Sequence, residues 1–225
     1  QRREPIAPTS NPPYFPSTGT PTAIVILVEF QDTKFTVSDP KTVFDQYLNG
    51  DEQTEMGYGE SLNHGSVKKY FTDMSFGAYQ PTFDIVGPVT LSKDMSYYGK
   101  NSGSVKDVNC DEMIKEACTL ASAQIDFSTP KYDSDADGIA DLVYVIYAGY
   151  GESNGADPST IWPKSGIGNF GTYNGVSVQR YGVNNELNAN PDVTDGMFAT
   201  PKINGIGLFC HEFSHCIGLP DLYPY

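Results

Sequence analysis

The sequence predicts an α+β domain in which a mixed, twisted sheet packs on two long helices. Strand-like apolar runs alternate with amphipathic helical patterns along the chain, which is typical of a layered fold. Apolar residues make up 39% of the 225 residues, enough to bury a sizeable core. The 22 glycines and 16 prolines indicate many turns and long loops between these elements.

A lead-in, two strands and two helices are predicted in the N-terminal half. Residues 1–22 are rich in proline, serine and threonine, so we expect a linker and not a packed element, with the folded domain at residues 23–225. The run AIVILVEF predicts a buried strand from Ala23 to about Phe30. SDPKTVFDQYLNG opens with a cap and a proline, which is typical of a helix start. Four residues at helical spacing predict a second helix before a strand: Val67, Tyr70, Phe71 and Met74.

Two long helices and two strands are predicted in the C-terminal half. DLVYVIYAGYGES is almost continuously apolar, which favours a central position in the sheet. GVSVQRYGVNNEL alternates and predicts a more exposed strand, suited to pairing with an extended peptide at the edge of a cleft. One helix spans roughly Val105 to Ala123, with a buried stripe of Val108, Met113, Ala117 and Leu120. The other spans Ile206 to Ile217, with Ile206, Phe209, Cys210, Phe213 and Ile217 on its apolar face.

Charge and hydropathy exclude two classes of partner. The 14 basic and 28 acidic residues give a formal charge of −14, so the phosphates of a nucleic acid would be repelled. No apolar run approaches the ~20 residues of a transmembrane helix, and we expect no such segment. The chain begins at Gln1 without an apolar signal region, which indicates a processed protein.

The four cysteines leave two arrangements open. Cys110 and Cys118 lie eight positions apart and Cys210 and Cys216 six apart, each pair within one predicted helix. At ~1.5 Å of rise per residue, both separations exceed the ~7 Å that a disulfide allows between Cα atoms. A bridge between the two helices and four buried free thiols both stay open.

The segment HEFSH near the C-terminus matches the H-E-x-x-H pattern of zinc peptidases. His211 and His215 lie one turn apart on one helix face, so both imidazoles reach one ion at ~2 Å, and Glu212 acts on the water that the ion activates. The pattern continues with Gly218, where the helix must end, and with Asp221. This is the spacing of the elongated zinc-peptidase motif, with an aspartate as the third ligand.

The stretch GLFCHEFSHCIGLPDLY resembles the active-site signature of the immune-inhibitor-A-like metallopeptidases, which are secreted bacterial zinc proteases. The segments AIVILVEFQDTKF, SVKKYFTDMSFGAYQPTFDIVGPVTL, YDSDADGIADLVYVIYAGYGE and IWPKS resemble that family in the same order. The resemblance implies zinc held by His211, His215 and Asp221, with Glu212 as the catalytic acid and base. Ser214 stands where the family usually has glycine.

The same resemblance implies a secreted or cell-surface endopeptidase that acts on proteins or peptides. It also implies a metzincin-like upper lobe whose lower lobe is largely missing here, since no methionine turn follows Asp221 before the sequence stops at Tyr225. A removed propeptide and further C-terminal domains are expected on the same ground. The alternative is a calcium-stabilised extracellular binding module with a degenerate or incomplete metal site and no activity.

The segment DSDADGIAD predicts a second, structural cation site. Alternating carboxylates around a sharp glycine turn match the first part of an EF-hand-like loop, although the closing glutamate is absent. The other interpretation is a solvated acidic turn that enters a strand. We favour calcium, held by these groups: Asp133, Asp135, Asp137, the carbonyl of Ile139, and Asp141.

Three further residues have expected roles. Glu152 follows a predicted strand in a loop that borders the cleft, where a structural role is favoured over substrate contact. Trp162, the one tryptophan, is expected to anchor the core. His64 is expected to be a surface or capping residue.

Overall fold

The computed structural model describes residues 14–50, 65–190 and 203–221, so the predictions for residues 1–13 and for His64 lie outside it. The helices of these ranges are α1 (Pro40–Asn49), α2 (Val67–Met74), α3 (Met95–Tyr98), α4 (Cys110–Ala121) and α5 (Ile206–Cys216). The strands are β1 (Thr22–Glu29), β2 (Thr82–Thr90), β3 (Ile139–Ala140), β4 (Val143–Tyr150), β5 (Lys164–Ile167), β6 (Thr172–Tyr173), β7 (Val176–Val178) and β8 (Arg180–Leu187).

The main sheet is mixed, as the α+β prediction requires. Its strand order is β2-β1-β4-β8-β5, and neighbours are parallel except β5, which is antiparallel to β8. A smaller sheet has the order β3-β7-β6. The central position predicted for the apolar strand β4 is confirmed.

Helices cover both faces of the main sheet. Met113 and Ala117 of α4 belong to the hydrophobic cluster on one face, together with Ile24 of β1. Phe209 and Phe213 of α5 belong to the cluster on the other face. The two long helices therefore pack on opposite sides of one sheet. Among the described residues, none of the helices is both long and apolar enough to cross a membrane.

The starts of the first two helices follow the capping signals in the sequence. The carboxylate of Asp39 accepts a hydrogen bond from the backbone N–H of Thr42 at 3.2 Å, and Pro40 occupies the first helical position of α1. The hydroxyl of Ser66 accepts one from the backbone N–H of Lys69 at 3.1 Å and begins α2. Each cap satisfies a helix donor that has no partner within the helix.

Helix α4 is shorter than the sequence predicts. It begins at Cys110, five residues after the predicted start at Val105, and both Val105 and Val108 are exposed. The buried carboxylate of Asp107 explains the late start, because it binds the Lys164 ammonium group at 2.7 Å and holds the preceding loop in place. Met113 and Ala117 of the predicted stripe are buried, whereas Leu120 is exposed.

Strand β8 is not the exposed cleft edge that its alternation predicts. All eight residues are buried, because β8 lies between β4 and β5. Two of its polar side chains are hydrogen-bonded to other parts of the protein: Asn184 accepts a hydrogen bond from the Tyr144 hydroxyl at 2.8 Å, and Glu186 accepts one from the Thr36 backbone N–H at 2.8 Å. The edge strands of the main sheet are β2 and β5, and β5 is the one beside β8.

One further expectation is corrected. Trp162 does not anchor the core: it is 42% exposed, and the Lys106 ammonium group lies 4.9 Å from its ring centroid. Within residues 14–22, Phe15 is buried and its ring lies 5.5 Å from that of Phe213.

The four cysteines are buried free thiols, the second of the two arrangements left open. Burial raises the pKa of each thiol to about 12, so none is a thiolate at neutral pH. They behave as small apolar residues of the two clusters.

Replacing Gly182 with alanine tests the packing between β8 and α5. A Cβ atom there would lie 2.3 Å from Cε2 of Tyr144, whose buried ring lies 4.1 Å from that of Phe209 at an interplanar angle of 32°. We expect Gly182→Ala to lower the free energy of unfolding by about 1–3 kcal/mol, since the ring must move within a packed core. Urea denaturation measures this change.

Gly207→Ala is the matched control, because a Cβ atom at Gly207 meets nothing within 4 Å. Gly207 lies in the first turn of α5, where alanine favours the helix. We expect no loss of stability from this control. Equal urea midpoints for the Gly182→Ala variant and the unsubstituted protein would contradict the described contact.

Candidate metal centre

Helix α5 presents its two histidines on the side away from the sheet. Phe209 and Phe213 are fully buried and stack on each other at 5.8 Å, which fixes the buried face of the helix. His211 and His215 follow these phenylalanines by two positions each, and their rings lie 4.8 Å apart at 82°. His211 is exposed and His215 is half-buried, so an ion has access from solvent.

A tight turn after α5 brings Asp221 to the two histidines. Gly218 has a φ of +97°, the left-handed region that favours glycine, and its N–H donates to the carbonyl of His215 at 3.0 Å. The N–H of Leu219 donates to the carbonyl of Ser214 at 2.9 Å. The chain thereby reverses, and Oδ1 of Asp221 comes to 3.2 Å from Nε2 of His215 and 3.6 Å from Nε2 of His211.

These three ligand atoms fit a tetrahedral zinc ion. Nitrogen and oxygen ligands lie about 2.0–2.2 Å from zinc, which separates neighbouring ligand atoms by roughly 3.3–3.6 Å in a tetrahedron. The three potential ligand atoms of His211, His215 and Asp221 all lie within 4.8 Å of one another. Two imidazoles with one carboxylate are the donor set of catalytic zinc sites, in which three protein ligands leave one position open.

A backbone carbonyl fixes the orientation of the His215 ring. Nδ1 of His215 lies 2.8 Å from the carbonyl oxygen of Leu219. A carbonyl only accepts hydrogen bonds, so Nδ1 carries a proton, and the neutral form of the ring then presents the lone pair of Nε2 toward Asp221. Such an outer hydrogen bond holds a metal-binding histidine in one tautomer and orientation. The hydrogen bond from His215 to the Leu219 carbonyl was not predicted from the sequence. The turn at Gly218 brings this carbonyl group back toward the last turn of the helix.

Glu212 lies next to the first histidine and is 7% exposed. Burial raises the pKa of its carboxyl group to about 7, with the nearby Asp221 carboxylate acting in the same direction and His215 acting against it. A carboxyl group with a pKa near neutrality can take up and release a proton at physiological pH.

A cavity of about 440 Å³ opens beside the histidines. Besides His211, His215 and Asp221, it is lined by side chains of α2, of α5 and of the turn that follows, including Tyr70, Ile206, Leu219 and Pro220. Tyr70 was not predicted to belong to the site. Its place in the amphipathic helix α2 was the feature that could have indicated this role. Only Val67 and Phe71 of that helix are buried, which leaves Tyr70 free to line the cavity.

The acidic loop brings three of its predicted ligands together. Carboxylate oxygens of Asp133, Asp135 and Asp137 lie within 4.8 Å of one another. Asp133 accepts hydrogen bonds from the backbone N–H groups of Asp137 and Gly138, each at 3.0 Å, which shapes the turn. Burial raises the pKa of Asp137, and the carboxylates of Asp135 and Asp133 raise it further.

The other two predicted members of this loop make different contacts. Asp141 is outside the group of three and accepts hydrogen bonds from the backbone N–H of Ser134 at 3.2 and 3.3 Å. Burial raises the pKa of Asp141. Ile139 begins β3, and its N–H donates to the carboxylate of Asp137 at 2.8 Å.

Glu152, expected in a loop at the cleft, is ion-paired with Lys106. The Lys106 ammonium group also lies over the ring of Trp162. Lys106 therefore connects the loop that carries it with Glu152 and with the segment that leads into β5. This arrangement agrees with the structural role favoured for Glu152.

The chain is similar to known peptidases. The model of a family described as immune inhibitor A peptidase M6, catalytic domain, matches residues 14–225. The pre-pro-metalloprotease PrtV of Vibrio cholerae serotype O1 (strain M66-2) is 25% identical over 230 residues, covering 89% of this chain and 24% of that protein. Immune inhibitor A of Bacillus thuringiensis subsp. alesti is 24% identical over 233 residues, covering 89% of this chain and 33% of that protein.

The chain thus spans 24% to 33% of the length of these relatives. The family match covers nearly all of the sequence, begins at residue 14 and includes the described residues of the candidate metal centre. The chain belongs to the immune inhibitor A peptidase M6 family and matches its catalytic domain.

Proposed function

We propose that this chain is the catalytic domain of a secreted zinc-dependent endopeptidase. The observation that carries the proposal is the convergence of Nε2 of His211, Nε2 of His215 and Oδ1 of Asp221 at separations that suit one zinc ion. Secretion is supported by the name of the Vibrio cholerae relative, a pre-pro-metalloprotease. The substrates are proteins or peptides, as the family description indicates.

Glu212 is the acid and base of the proposed reaction. Zinc, when bound, polarises the scissile carbonyl group and lowers the pKa of a water molecule toward ~7. Glu212 accepts the proton of the attacking water and passes it to the nitrogen of the leaving amine. Its raised pKa of about 7 suits both transfers, because neither protonation state is strongly favoured at neutral pH.

The edge strand β5 is the proposed binding surface for the substrate backbone. It is the last strand of the main sheet, antiparallel to β8, and helix α5 packs against both strands. An extended peptide can add to such an edge through main-chain hydrogen bonds, with little dependence on its sequence. Because a strand edge does not require a chain end, this mode suits cleavage within a polypeptide.

The acidic loop is the proposed structural calcium site. Three carboxylates within 4.8 Å repel one another without a cation, and oxygen-only donors match the preference of calcium. The loop directly precedes β3 and the central strand β4. A cation there would stabilise the turn that leads into the middle of the sheet.

Replacement of the acid and base tests the proposed mechanism. In the full-length protein, we expect Glu212→Gln to lower the rate of casein cleavage by at least about 100-fold, since the amide cannot accept the proton. Zinc content, measured by atomic absorption, should stay at one ion per site, because Glu212 is not a ligand in the proposal. Glu112→Gln on the exposed side of α4 is the matched control and should cleave casein normally.

Two outcomes would overturn the proposal. If a zinc-loaded Glu212→Gln variant cleaves casein at an unchanged rate, Glu212 is not the acid and base of the reaction. If the full-length protein neither binds zinc nor cleaves any protein, the calcium-stabilised binding module is the better description.

Calcium removal tests the second site. At a free calcium concentration 100 times Kd, binding adds about 2.7 kcal/mol to the stability of the folded state, which corresponds to roughly 5–10 °C in Tm for a domain of this size. We expect chelation by EGTA to lower Tm by this amount, and Asp135→Asn to abolish most of the calcium-dependent shift. Differential scanning calorimetry measures both effects.

Asp126→Asn is the matched control, because Asp126 also lies in an exposed turn and accepts a hydrogen bond from the backbone N–H of Ser128 at 2.9 Å. This variant should keep the full calcium-dependent shift. If the Tm of the unsubstituted protein does not respond to calcium, the loop is a solvated acidic turn and not a calcium site.

A further inference from the structure

The turn that carries Asp221 is covered by an aromatic ring from the other end of the chain. A Cβ atom built on Gly218 would lie 3.3 Å from both Cγ and Cδ2 of Tyr14. The Tyr14 ring therefore lies directly against the glycine whose left-handed conformation reverses the chain between His215 and Asp221. Nearly the whole domain separates Tyr14 from this turn in sequence, so the contact is made only in the folded protein.

A buried arginine also contacts the Tyr14 ring. Cζ of Arg180 lies 4.3 Å from the ring centroid, within the distance of a cation–π interaction. Arg180 is the first residue of β8 and is only 5% exposed, whereas Tyr14 is 55% exposed. Tyr14 thus covers the guanidinium group from solvent and rests on a strand of the main sheet.

The residue after Tyr14 fixes its backbone to helix α5. The N–H of Phe15 donates a hydrogen bond to the carbonyl of Cys216 at 3.0 Å, at the C-terminal end of the helix. The buried Phe15 ring contacts that of Phe213. Because these two contacts hold Phe15 against α5, they also fix the position of the neighbouring Tyr14 beside Gly218.

We infer that Tyr14 is a positioning residue for the metal centre, anchored by Arg180, which holds the Gly218 turn so that Asp221 meets His211 and His215. The inference rests on the proposed zinc site. The turn also has backbone hydrogen bonds of its own to α5, from Gly218 and Leu219. The Tyr14 ring blocks the face of Gly218 toward which the turn could otherwise shift.

Cobalt binding by the full-length protein tests this inference. Cobalt(II) replaces zinc in such sites, and its visible absorption bands report the geometry of the ligands. We expect Tyr14→Leu, which keeps apolar bulk but loses the flat ring, to weaken cobalt affinity by about tenfold, the lower end of the range for outer residues of metal sites. The absorption bands should also change in position or intensity. Tyr14→Phe, which keeps the ring, should restore both readouts.

Trp162→Leu is the matched control. Trp162 is also a half-exposed aromatic residue under a cation, here Lys106, but it belongs to a different pair of loops. This variant should bind cobalt as the unsubstituted protein does. Arg180→Met should weaken binding in the same direction as Tyr14→Leu, and the double variant should be no weaker than Tyr14→Leu alone, since both act through one ring.

The outcomes separate this inference from the proposed function. If the unsubstituted protein binds no cobalt, or if His211→Ala binds it equally well, the zinc site itself is wrong. If the unsubstituted protein binds cobalt and Tyr14→Leu shows the same affinity and spectrum, only the positioning role is overturned. Additive losses in the double variant would remove Arg180 as the anchor and leave Tyr14 acting alone.

Discussion

The packing of two phenylalanines determines where the candidate metal centre lies. Phe209 and Phe213 are buried one turn apart on α5, and the ring of each contacts Phe83 of β2. Each histidine follows one of these phenylalanines by two positions, a rotation of roughly 200° around a helix with 3.6 residues per turn. The core therefore turns both imidazoles outward and on the same side. The aromatic packing of α5 is the constraint on which the rest of the site depends.

The third ligand depends on a second constraint, the reversal of the chain after α5. Asp221 follows His215 by six residues, too far along a continuing helix to share one ion with it. Gly218 ends the helix in a left-handed conformation, and the Leu219 carbonyl that returns over the last turn binds Nδ1 of His215. One turn thus supplies Asp221 and also orients His215.

Local spacing made helix α5, its end at Gly218 and the convergence of His211, His215 and Asp221 predictable, because a turn of helix and a glycine stop are short-range features of the sequence. Strand β8 was not predictable in the same way. Its polar residues indicate an exposed face, yet Asn184 and Glu186 are paired by Tyr144 and Thr36, which are distant in sequence. The contact of Tyr14 with Gly218 is equally non-local, so no sequence pattern indicated it.

The two candidate ion sites differ in what holds their ligands. The carboxylates of the acidic loop accept hydrogen bonds from N–H groups of the same short loop, such as that from Asp137 to Asp133, and no core side chain fixes them. His211 and His215 project from a helix packed on the sheet, and Asp221 follows a turn braced by Tyr14. The first set of ligands is shaped by one short loop, whereas the second is positioned by packed elements of the fold. Preorganised ligands suit a catalytic ion, because they limit the geometry that the site can adopt while a fourth position stays open to substrate.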